Sequence, residues 1–336
     1  MATVVELRDV HKSFRRRLRS ATFAGLLRDI GRPRRETVTA LRGVDLAVEA
    51  GEMVAYAGPN GAGKSTTIKL LAGLLAPDSG TVRSLGVDPV RDRVRYVGKI
   101  SVVFGQRTEL WWDHPVAATF AWRKTVWNIP DDVYRRSLGF ARELLGLDPF
   151  WNAAARELSL GQRMRADLAL ALVGEPQILF LDEPTMGLDV LVKQEVLEAI
   201  RTLNRERAVT VMITSHDMPD LEQLRARIVL LNEGAIAFDG SFEDLRRRLG
   251  DRRRLVLETD SAAAPALPGA THLGSEGTRH QYAFDATATP IAELLAAATV
   301  RARLMDVETH RAPIEDVIAD LYRDWRGGRP AARPTG

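Results

Sequence analysis

One segment of the sequence has the glycines, lysine and serine that bind the phosphates of a nucleotide. Residues 58–65 have the sequence Gly-Pro-Asn-Gly-Ala-Gly-Lys-Ser, which matches the phosphate-loop pattern G-x-x-x-x-G-K-[ST] at every fixed position. Glycines let the backbone curl so that its N–H groups converge on phosphate oxygens, and a helix that follows adds the positive end of its dipole. Lys64 is placed to reach the β- and γ-phosphates, and the Ser65 hydroxyl to bind Mg²⁺. The pattern predicts that a nucleoside triphosphate contacts Gly58, Pro59, Asn60, Gly61, Ala62, Gly63, Lys64, Ser65 and Thr66.

An acidic pair supplies the groups that hydrolysis of such a nucleotide needs. Asp182 and Glu183 follow the apolar run 178–181, which predicts that both carboxylates lie at the exit of a buried strand. One carboxylate there can hold Mg²⁺, and the next can accept a proton from the water that attacks the γ-phosphate. Downstream of a phosphate loop, this hydrolytic interpretation is favoured over an ordinary acidic strand end.

These groups need strands to position them, and the chain alternates strand and helix patterns through residues 1–240. That alternation predicts an α/β fold with a mostly parallel sheet. Between the two motifs, helical periodicity rich in aromatic residues predicts an inserted helical subdomain at about 108–175. The predicted strands are 4–10, 46–48, 53–57, 100–104, 178–181, 209–213, 228–231 and 235–238, and the predicted helices include 65–75 and 192–206.

The pattern changes after residue 240, and 241–336 is predicted to form a small α+β accessory domain with a disordered tail. Pro313 is expected to occupy the favoured first turn of a last helix that runs to about Trp325. The other predicted elements are a helix at 242–249, a strand at 254–258, a loop at 262–277, a strand at 281–284, a helix at 291–297 and a strand at 302–307.

Further motifs, in a fixed order around the phosphate loop, carry a family resemblance that covers about residues 3–240. The chain resembles the ATP-binding subunit of ATP-binding-cassette (ABC) transporters, a family of phosphate-loop ATPases. The signature motif, 158–162, has the sequence Leu-Ser-Leu-Gly-Gln, and the loop after the acidic pair has Gly-Leu-Asp at 187–189. The remaining matches are Gln106 of the glutamine loop, His216 as the switch histidine, and Phe14 at the position of the aromatic residue that stacks on adenine.

The resemblance implies a role for each matched residue. Glu183, His216 and Gln106 are the expected catalytic residues, and Ser65, Gln106 and Asp182 are the expected Mg²⁺ ligands. Ser159, Gly161 and Gln162 are expected to contact ATP held by a second subunit, in a head-to-tail homodimer or a heterodimer with a related ATPase. Asp189 is expected to contribute to nucleotide binding. Two positions depart from the family pattern: Leu160, where glycine is usual, and Met186, where a small polar residue is common.

Composition limits the possible locations and partners of the chain. It is 45% hydrophobic and 27% charged with a net charge of +3, which indicates a globular protein rather than a nucleic-acid-binding one. The absence of cysteine excludes disulfides, thiolate zinc sites and protein-ligated iron–sulfur clusters. No stretch approaches the ~18 apolar residues of a membrane span, and the N-terminus lacks a secretory signal. We therefore expect a peripheral protein at the cytoplasmic face of the cell membrane, bound to separate integral membrane permease subunits.

Two features could contact those partners. Trp111, Trp112, Trp122, Trp127 and Trp151 lie in or beside the helical subdomain, and one of the adjacent pair is expected to face a partner. Trp122 and Trp127 are predicted to belong to the subdomain's own core. A basic insertion at about 15–37 carries an apolar stripe, which fits either a solvated surface insertion or a membrane-proximal amphipathic element. Nucleic-acid binding is the weakest of its interpretations, because aromatic residues do not alternate with its arginines.

The overall pattern resembles the ATPase subunits of bacterial ABC-2-type exporters. It includes the sequence Phe-Gly-Gln-Arg at 104–107 before the first tryptophan pair, and Ile-Glu-Asp-Val-Ile at 314–318. An importer ATPase is the first alternative. A soluble ABC ATPase of translation or DNA repair is the second, although the chain has one phosphate loop and no sustained heptad pattern.

Overall fold

The fold was analysed in a computed structural model that describes residues 2–18, 34–248 and 251–311. The chain divides into two compact units, Met1–Asp239 and Gly240–Gly336. Each unit has a hydrophobic core of its own. Two sequence predictions, the helical apolar stripe in the basic insertion and the last helix from Pro313, lie outside the described residues.

The described residues contain the predicted strands and helices, several with different bounds, together with elements that were not predicted, among them the strand at 79–84 and the helices at 93–97 and 218–223. The strands are β1 (Thr3–Leu18), β2 (Arg34–Glu49), β3 (Met53–Ala57), β4 (Ser79–Ser84), β5 (Ile100–Phe104), β6 (Ile178–Asp182), β7 (Thr210–Ser215), β8 (Arg227–Asn232), β9 (Ala235–Gly240), β10 (Arg252–Thr259), β11 (Ala270–Glu276), β12 (Arg279–Asp285) and β13 (Leu304–Arg311). The α-helices are α1 (Lys64–Leu71), α2 (Arg93–Val97), α3 (Val116–Val126), α4 (Asp131–Leu145), α5 (Leu160–Leu172), α6 (Val190–Arg207), α7 (Met218–Gln223), α8 (Phe242–Arg248) and α9 (Ile291–Thr299).

A six-stranded sheet in the order β5-β6-β7-β3-β8-β9 forms the centre of the first unit. The neighbours from β5 to β8 run parallel, as the alternation of strands and helices predicted. Strands β3, β6 and β7 are almost entirely buried, which explains the apolar runs 53–57, 178–181 and 211–213. Because these strands are parallel and adjacent, the loops after their carboxyl ends lie together at one edge of the sheet.

A second, antiparallel sheet has the order β2-β1-β4 and was only partly predicted. Strand β2 begins at Arg34, twelve residues before the predicted 46, and β1 continues to Leu18 rather than ending near 10. The polar, charged sequence of these extensions has no clean alternation, so their strand structure depends on pairing with each other. The register also shifts between Val10 and Lys12 and between Lys12 and Ser13, where the extension of β1 begins, so a period of two does not continue there.

Helices α3, α4 and α5 lie between β5 and β6 in the chain, where the helical subdomain was predicted. The prediction that Trp122 and Trp127 form its core is wrong, because both are exposed, at 40% and 42%. Helix α3 buries the stripe Val116, Thr119 and Phe120, and the two tryptophans lie off that stripe. Trp111 and Trp112 are also exposed, whereas the Trp151 ring lies 4.9 Å from that of Phe120.

The second unit contains a four-stranded antiparallel sheet in the order β11-β12-β10-β13, with α9 packed on it. Residues 270–276 were predicted to be loop, and the structure shows strand β11 there instead. This strand lies at the sheet edge, carries Gly274 and Ser275, and shifts register between His272 and Gly274, so its pattern is weak. In the described residues of both units, no helix is long and apolar enough to cross a membrane.

Candidate functional site

The phosphate loop lies between the end of β3 and the start of α1, the context that its pattern requires. Gly63, the residue before α1, has φ +111°, and a Cβ there would lie 2.5 Å from the Ala40 carbonyl oxygen. A Cβ on Gly58 would lie 2.4 Å from the Leu231 carbonyl oxygen. Any side chain at these two positions would collide with neighbouring backbone, so the tight curl of the loop requires glycine.

Lys64 is the cation at the centre of the loop. Its side chain is almost fully buried, and Nζ donates to the carbonyl oxygens of Gly58 at 2.7 Å and Pro59 at 3.3 Å. The same Nζ lies 3.4 Å from Glu183 Oε1. The carbonyl groups of the loop therefore hold the ammonium group within reach of the Glu183 carboxylate, which follows β6.

Asp182, the last residue of β6, connects the phosphate loop to β7. Its Oδ1 accepts hydrogen bonds from the Ser65 hydroxyl at 2.9 Å and from the Thr214 hydroxyl at 2.7 Å. A serine hydroxyl next to a carboxylate is a pair of oxygen ligands of the kind that Mg²⁺ prefers. The donor set at this point therefore fits the predicted metal, and Gln106, which lines the same cavity as Ser65, is a third oxygen-bearing side chain.

Glu183 has a backbone conformation that is rare outside glycine, with φ +55°. Its N–H donates to both the carbonyl and hydroxyl oxygens of Thr214, each at 3.1 Å, which stabilises the turn. The turn places Glu183 Oε2 2.6 Å from His216 Nδ1, while Oε1 faces Lys64. One carboxylate thus lies between a cation and an imidazole, an arrangement suited to accepting and releasing a proton.

These groups surround a cavity of about 380 Å³. Of the predicted catalytic residues, Glu183, His216 and Gln106 all line it, and Gln106 Nε2 contacts Met186 Sδ at 3.5 Å. The other predicted residues in its lining are Asn60, Gly61, Gly63, Lys64, Ser65 and Thr66. Predicted site residues that do not line it are Phe14, Gly58, Pro59, Ala62, Ser159, Gly161, Gln162, Asp182 and Asp189.

The signature residues form the start of α5, away from this cavity. The Ser159 hydroxyl accepts from the Gln162 N–H at 3.2 Å, and Gln162 Oε1 accepts from the Ser159 N–H at 2.9 Å, a reciprocal helix cap. A Cβ on Gly161 would lie 2.5 Å from Val192 Cγ1. Leu160, the departure from the family pattern, is exposed, and its Cδ2 would lie 3.2 Å from a Cβ on Gly187.

Two other predicted residues have structural partners of their own. Asp189 caps α6, since its Oδ1 accepts from the Val192 N–H at 3.0 Å. Phe14 is exposed on β1, where it pairs with Val38 of β2, and Lys12 Nζ lies 5.7 Å from its ring centre. The structure therefore brings neither side chain into the cavity.

Three residues of the site were not found from the sequence. Thr214 orients both acidic residues, and Ala40 contributes to the lining. Gly105 donates its N–H to the Asp182 carbonyl at 2.8 Å, and a Cβ there would lie 2.0 Å from the Glu183 carbonyl oxygen. Only Gly105 gave a signal in the sequence, as a glycine directly after a buried strand; the others join the site through tertiary contacts alone.

Residues 41–186 match the protein family described as ABC transporter. The energy-coupling factor transporter ATP-binding protein EcfA of Methanothermobacter thermautotrophicus is 34% identical over 240 residues, which are 70% of this chain and 77% of that protein. The spermidine/putrescine import ATP-binding protein PotA of Spiroplasma citri is 34% identical over 196 residues. Those residues are 58% of this chain and 55% of PotA, so the chain spans about half of that relative.

A solved structure shows the same fold. The dimeric structure of MJ0796, a bacterial ABC transporter cassette, matches with a TM-score of 0.58 and 24% identity over 70% of this chain and 98% of that one. The predicted α/β fold with a phosphate-loop core is confirmed by this likeness.

Proposed function

Because the chain belongs to the family of ABC transporter ATP-binding proteins, we propose that it binds ATP in the 380 Å³ cavity and powers a membrane exporter. The family consists of ATP-hydrolysing transporter subunits, and this chain is one of them. The observation that carries the site assignment is the placement of Glu183 between Lys64 and His216, facing the cavity.

In the proposed reaction, the chain's own groups bind the triphosphate and move one proton. The loop N–H groups and Lys64 neutralise the phosphates, because backbone N–H groups and an ammonium group both present positive charge to phosphate oxygens. Glu183 accepts a proton from the attacking water. His216 stabilises the orientation of that carboxylate through the 2.6 Å contact.

Mg²⁺ belongs to the proposal, and the residues that would hold it are Ser65, Asp182 and Gln106. When bound, the ion would offset the negative charge of the phosphate oxygens. The chain's part is to fix the two ligands that already share a hydrogen bond, Ser65 Oγ and Asp182 Oδ1.

The signature supports a dimeric arrangement. Ser159, Gly161 and Gln162 lie at the N-terminus of the thirteen-residue helix α5, whose backbone dipole favours an anion, yet they do not line the chain's own cavity. We propose that they cover the ATP of a second subunit, in a head-to-tail homodimer or a heterodimer with a related ATPase. Asp189 and Phe14 belong to the same proposal, as contacts to the nucleotide beyond the cavity.

The proposed partners are separate membrane permease subunits, which would hold the chain at the cytoplasmic face of the membrane. Support comes from Trp111, Trp112, Trp122 and Trp127, which are all exposed, and the ring centres of Trp111 and Trp122 lie 5.2 Å apart. Aromatic residues of this kind are enriched at protein interfaces. Export is proposed from the ABC-2-type sequence pattern. Import is the second candidate, because PotA is named for spermidine/putrescine import and EcfA for an energy-coupling factor transporter.

Purification of the tagged full chain from native membranes in mild detergent tests the proposal. We expect multi-span subunits in stoichiometric amount, and measurement of substrate flux in vesicles containing them would decide between export and import. A matched variant, Trp112→Ala with Trp127→Ala, should lose those subunits while keeping ATPase activity. Recovery of the chain on ribosomes or DNA instead would favour the soluble alternative and reject the transport proposal, leaving the ATPase chemistry intact.

A further inference from the structure

The glutamine loop is attached to the central sheet and to helix α5 at two nearby points. At the first, the Gly105 N–H donates to the Asp182 carbonyl at 2.8 Å. At the second, the Thr108 hydroxyl donates to Asp167 Oδ1 of α5 at 3.0 Å. Only two residues, at positions 106 and 107, lie between these points, and the first of them is the glutamine that lines the cavity.

The attachment to α5 consists of more than one hydrogen bond. Asp167 Oδ1 also accepts from the Glu109 N–H at 3.0 Å, and the Thr108 hydroxyl accepts from the Leu110 N–H at 3.1 Å. One carboxylate oxygen of Asp167 therefore holds two successive residues of the loop, Thr108 and Glu109. Such side-chain-to-backbone bonds fix local backbone geometry, so a shift of Asp167 must carry residues 108–110 with it.

Helix α5 also carries the signature at its other end. Asp167 lies eight residues after the capping residue Ser159, which is roughly 12 Å along a helix that rises ~1.5 Å per residue. Because the helix is continuous between them, the signature and the Asp167 attachment move as one piece. The signature and the glutamine loop are thereby joined through a single carboxylate.

Burial of the Asp167 carboxyl group at this position is energetically unfavourable. The residue is 7% exposed, and burial raises its pKa to about 7, although the two hydrogen bonds from the loop oppose that rise. The charges that face it are Glu109 of the loop, which raises the pKa, and Arg163 of its own helix, which lowers it. Arg123 of α3 pairs with Glu109 at 2.8 Å and offsets the first of these charges. An apolar residue would fill the space at lower cost, so packing alone does not account for an acid there.

We propose that Asp167 is a positioning residue that couples the glutamine loop to the signature helix, so that Gln106 reaches its working position only when α5 does. The inference rests on the proposed roles of Gln106 and the signature. It adds a residue that does not touch the nucleotide and acts through the loop that does.

Steady-state hydrolysis of MgATP by the full chain tests the coupling. We expect Asp167→Ala to lower kcat about tenfold with little change in KM, because the cavity lining is intact while Gln106 is misplaced. Thr108→Val removes one hydroxyl at nearly constant volume and should lower kcat about threefold, a value expected from losing one of two hydrogen bonds. The double variant should be no slower than Asp167→Ala, since both changes break the same attachment.

Matched controls separate the coupling from a general loss of structure. Thr125→Val on α3 and Asp132→Ala on α4 make the same chemical changes at exposed sites of the helical region, and both should leave kcat unchanged. Asp167→Asn keeps an acceptor oxygen but cannot ionise. Because Oδ1 accepts from both loop donors, Asp167→Asn should keep a higher kcat than Asp167→Ala.

A second measurement does not depend on turnover. Hydrogen–deuterium exchange on addition of MgATP should change protection of peptides 105–111 and 159–167 together in the wild type. In Asp167→Ala, the loop peptide should respond without the helix peptide. Independent responses in the wild type, or additive kcat losses in the double variant, would overturn the coupling even if the chain is a normal ATPase.

Discussion

Polar side chains have different partners at two places in the chain, one in each unit. In Met1–Asp239, the buried Lys64 and the partly buried Glu183 and Ser65 all face one cavity. In Gly240–Gly336, the fully buried His280 has only protein partners: its Nδ1 accepts from the Ser275 hydroxyl at 2.7 Å, and its Nε2 donates to the Ser261 carbonyl at 3.0 Å.

The difference indicates two uses for the cost of burying polar groups. A polar group that faces a cavity can still form hydrogen bonds to a ligand. A polar group whose hydrogen bonds are all made to other protein groups stabilises the fold instead. The buried Tyr282 hydroxyl, which donates to the Pro265 carbonyl at 2.7 Å, belongs to the second kind. Changes in the first unit's cavity should therefore affect catalysis more than stability, and changes around His280 the reverse.

The largest expected effect is that of Glu183→Gln. Removing the proton acceptor should lower kcat for MgATP about 10³-fold, since general-base groups typically contribute 10²–10⁴-fold. Thermal unfolding should change little, because the amide fills the same space. Glu206→Gln, the same change at an exposed position of α6, serves as the control and should hydrolyse ATP normally. Retention of more than a tenth of the activity by Glu183→Gln would remove Glu183 from the proposed role.

Asp167 is an intermediate case in this comparison. It is a buried carboxylate of the first unit, yet its hydrogen-bond partners are protein groups. Its folded pKa of about 7 lies above the ordinary value of 3.8, so the folded state binds more protons between those values. The free energy of unfolding should then fall as pH rises from about 4 to 7, by up to about 4 kcal/mol, and level off above. Urea titrations at several pH values should show this slope in the wild type and not in Asp167→Asn. Equal slopes in both proteins would contradict it.

How far this site could be predicted depends on whether its residues are contiguous in the chain. The phosphate loop and the acidic pair are short motifs whose chemistry is local, and both lie where the strand and helix patterns predicted. Thr214, by contrast, joins the site because β7 lies between β6 and β3, and strand order cannot be deduced from the apolar pattern of each strand.

The same limit explains the fold predictions that were wrong. Edge strands such as β11 and the outer part of β2 are polar on both faces, so tertiary pairing decides their structure. Asp167 did leave a trace, since an acid interrupts the buried run of α5 at that point. A buried acid on a helix indicates a specific partner, but only the structure identifies that partner as the glutamine loop.

The reverse case is His280→Ala in the second unit. Loss of the imidazole leaves the Ser275 hydroxyl and the Ser261 carbonyl without this partner and opens space in the core, which should cost about 2 kcal/mol of unfolding free energy. Chemical denaturation measures that loss. The kcat of the full chain should stay within about twofold of the wild type. His310→Ala, at an exposed position of β13, is the control and should change neither quantity. A large fall in kcat without loss of stability would show that the second unit has a direct part in hydrolysis.

Phe14 carries the smallest expected effect, and it tests how far the nucleotide site extends beyond the cavity. The ring lies on β1, exposed and outside the cavity lining, with Lys12 beside it. If it stacks on adenine as proposed, Phe14→Ala should weaken ATP binding about fivefold, or about 1 kcal/mol, the lower end for aromatic–base stacking. Its kcat should not change, because the groups around the phosphates are untouched, and Phe14→Tyr should restore binding. Titrations with a fluorescent ATP analogue and with the analogous triphosphate lacking a base separate the contribution of the adenine base to binding from that of the phosphates. The triphosphate without a base should bind the wild type and Phe14→Ala equally. Equal binding of ATP itself by both proteins would instead confine recognition to the phosphates and place Phe14 with the side chains whose partners belong to the fold.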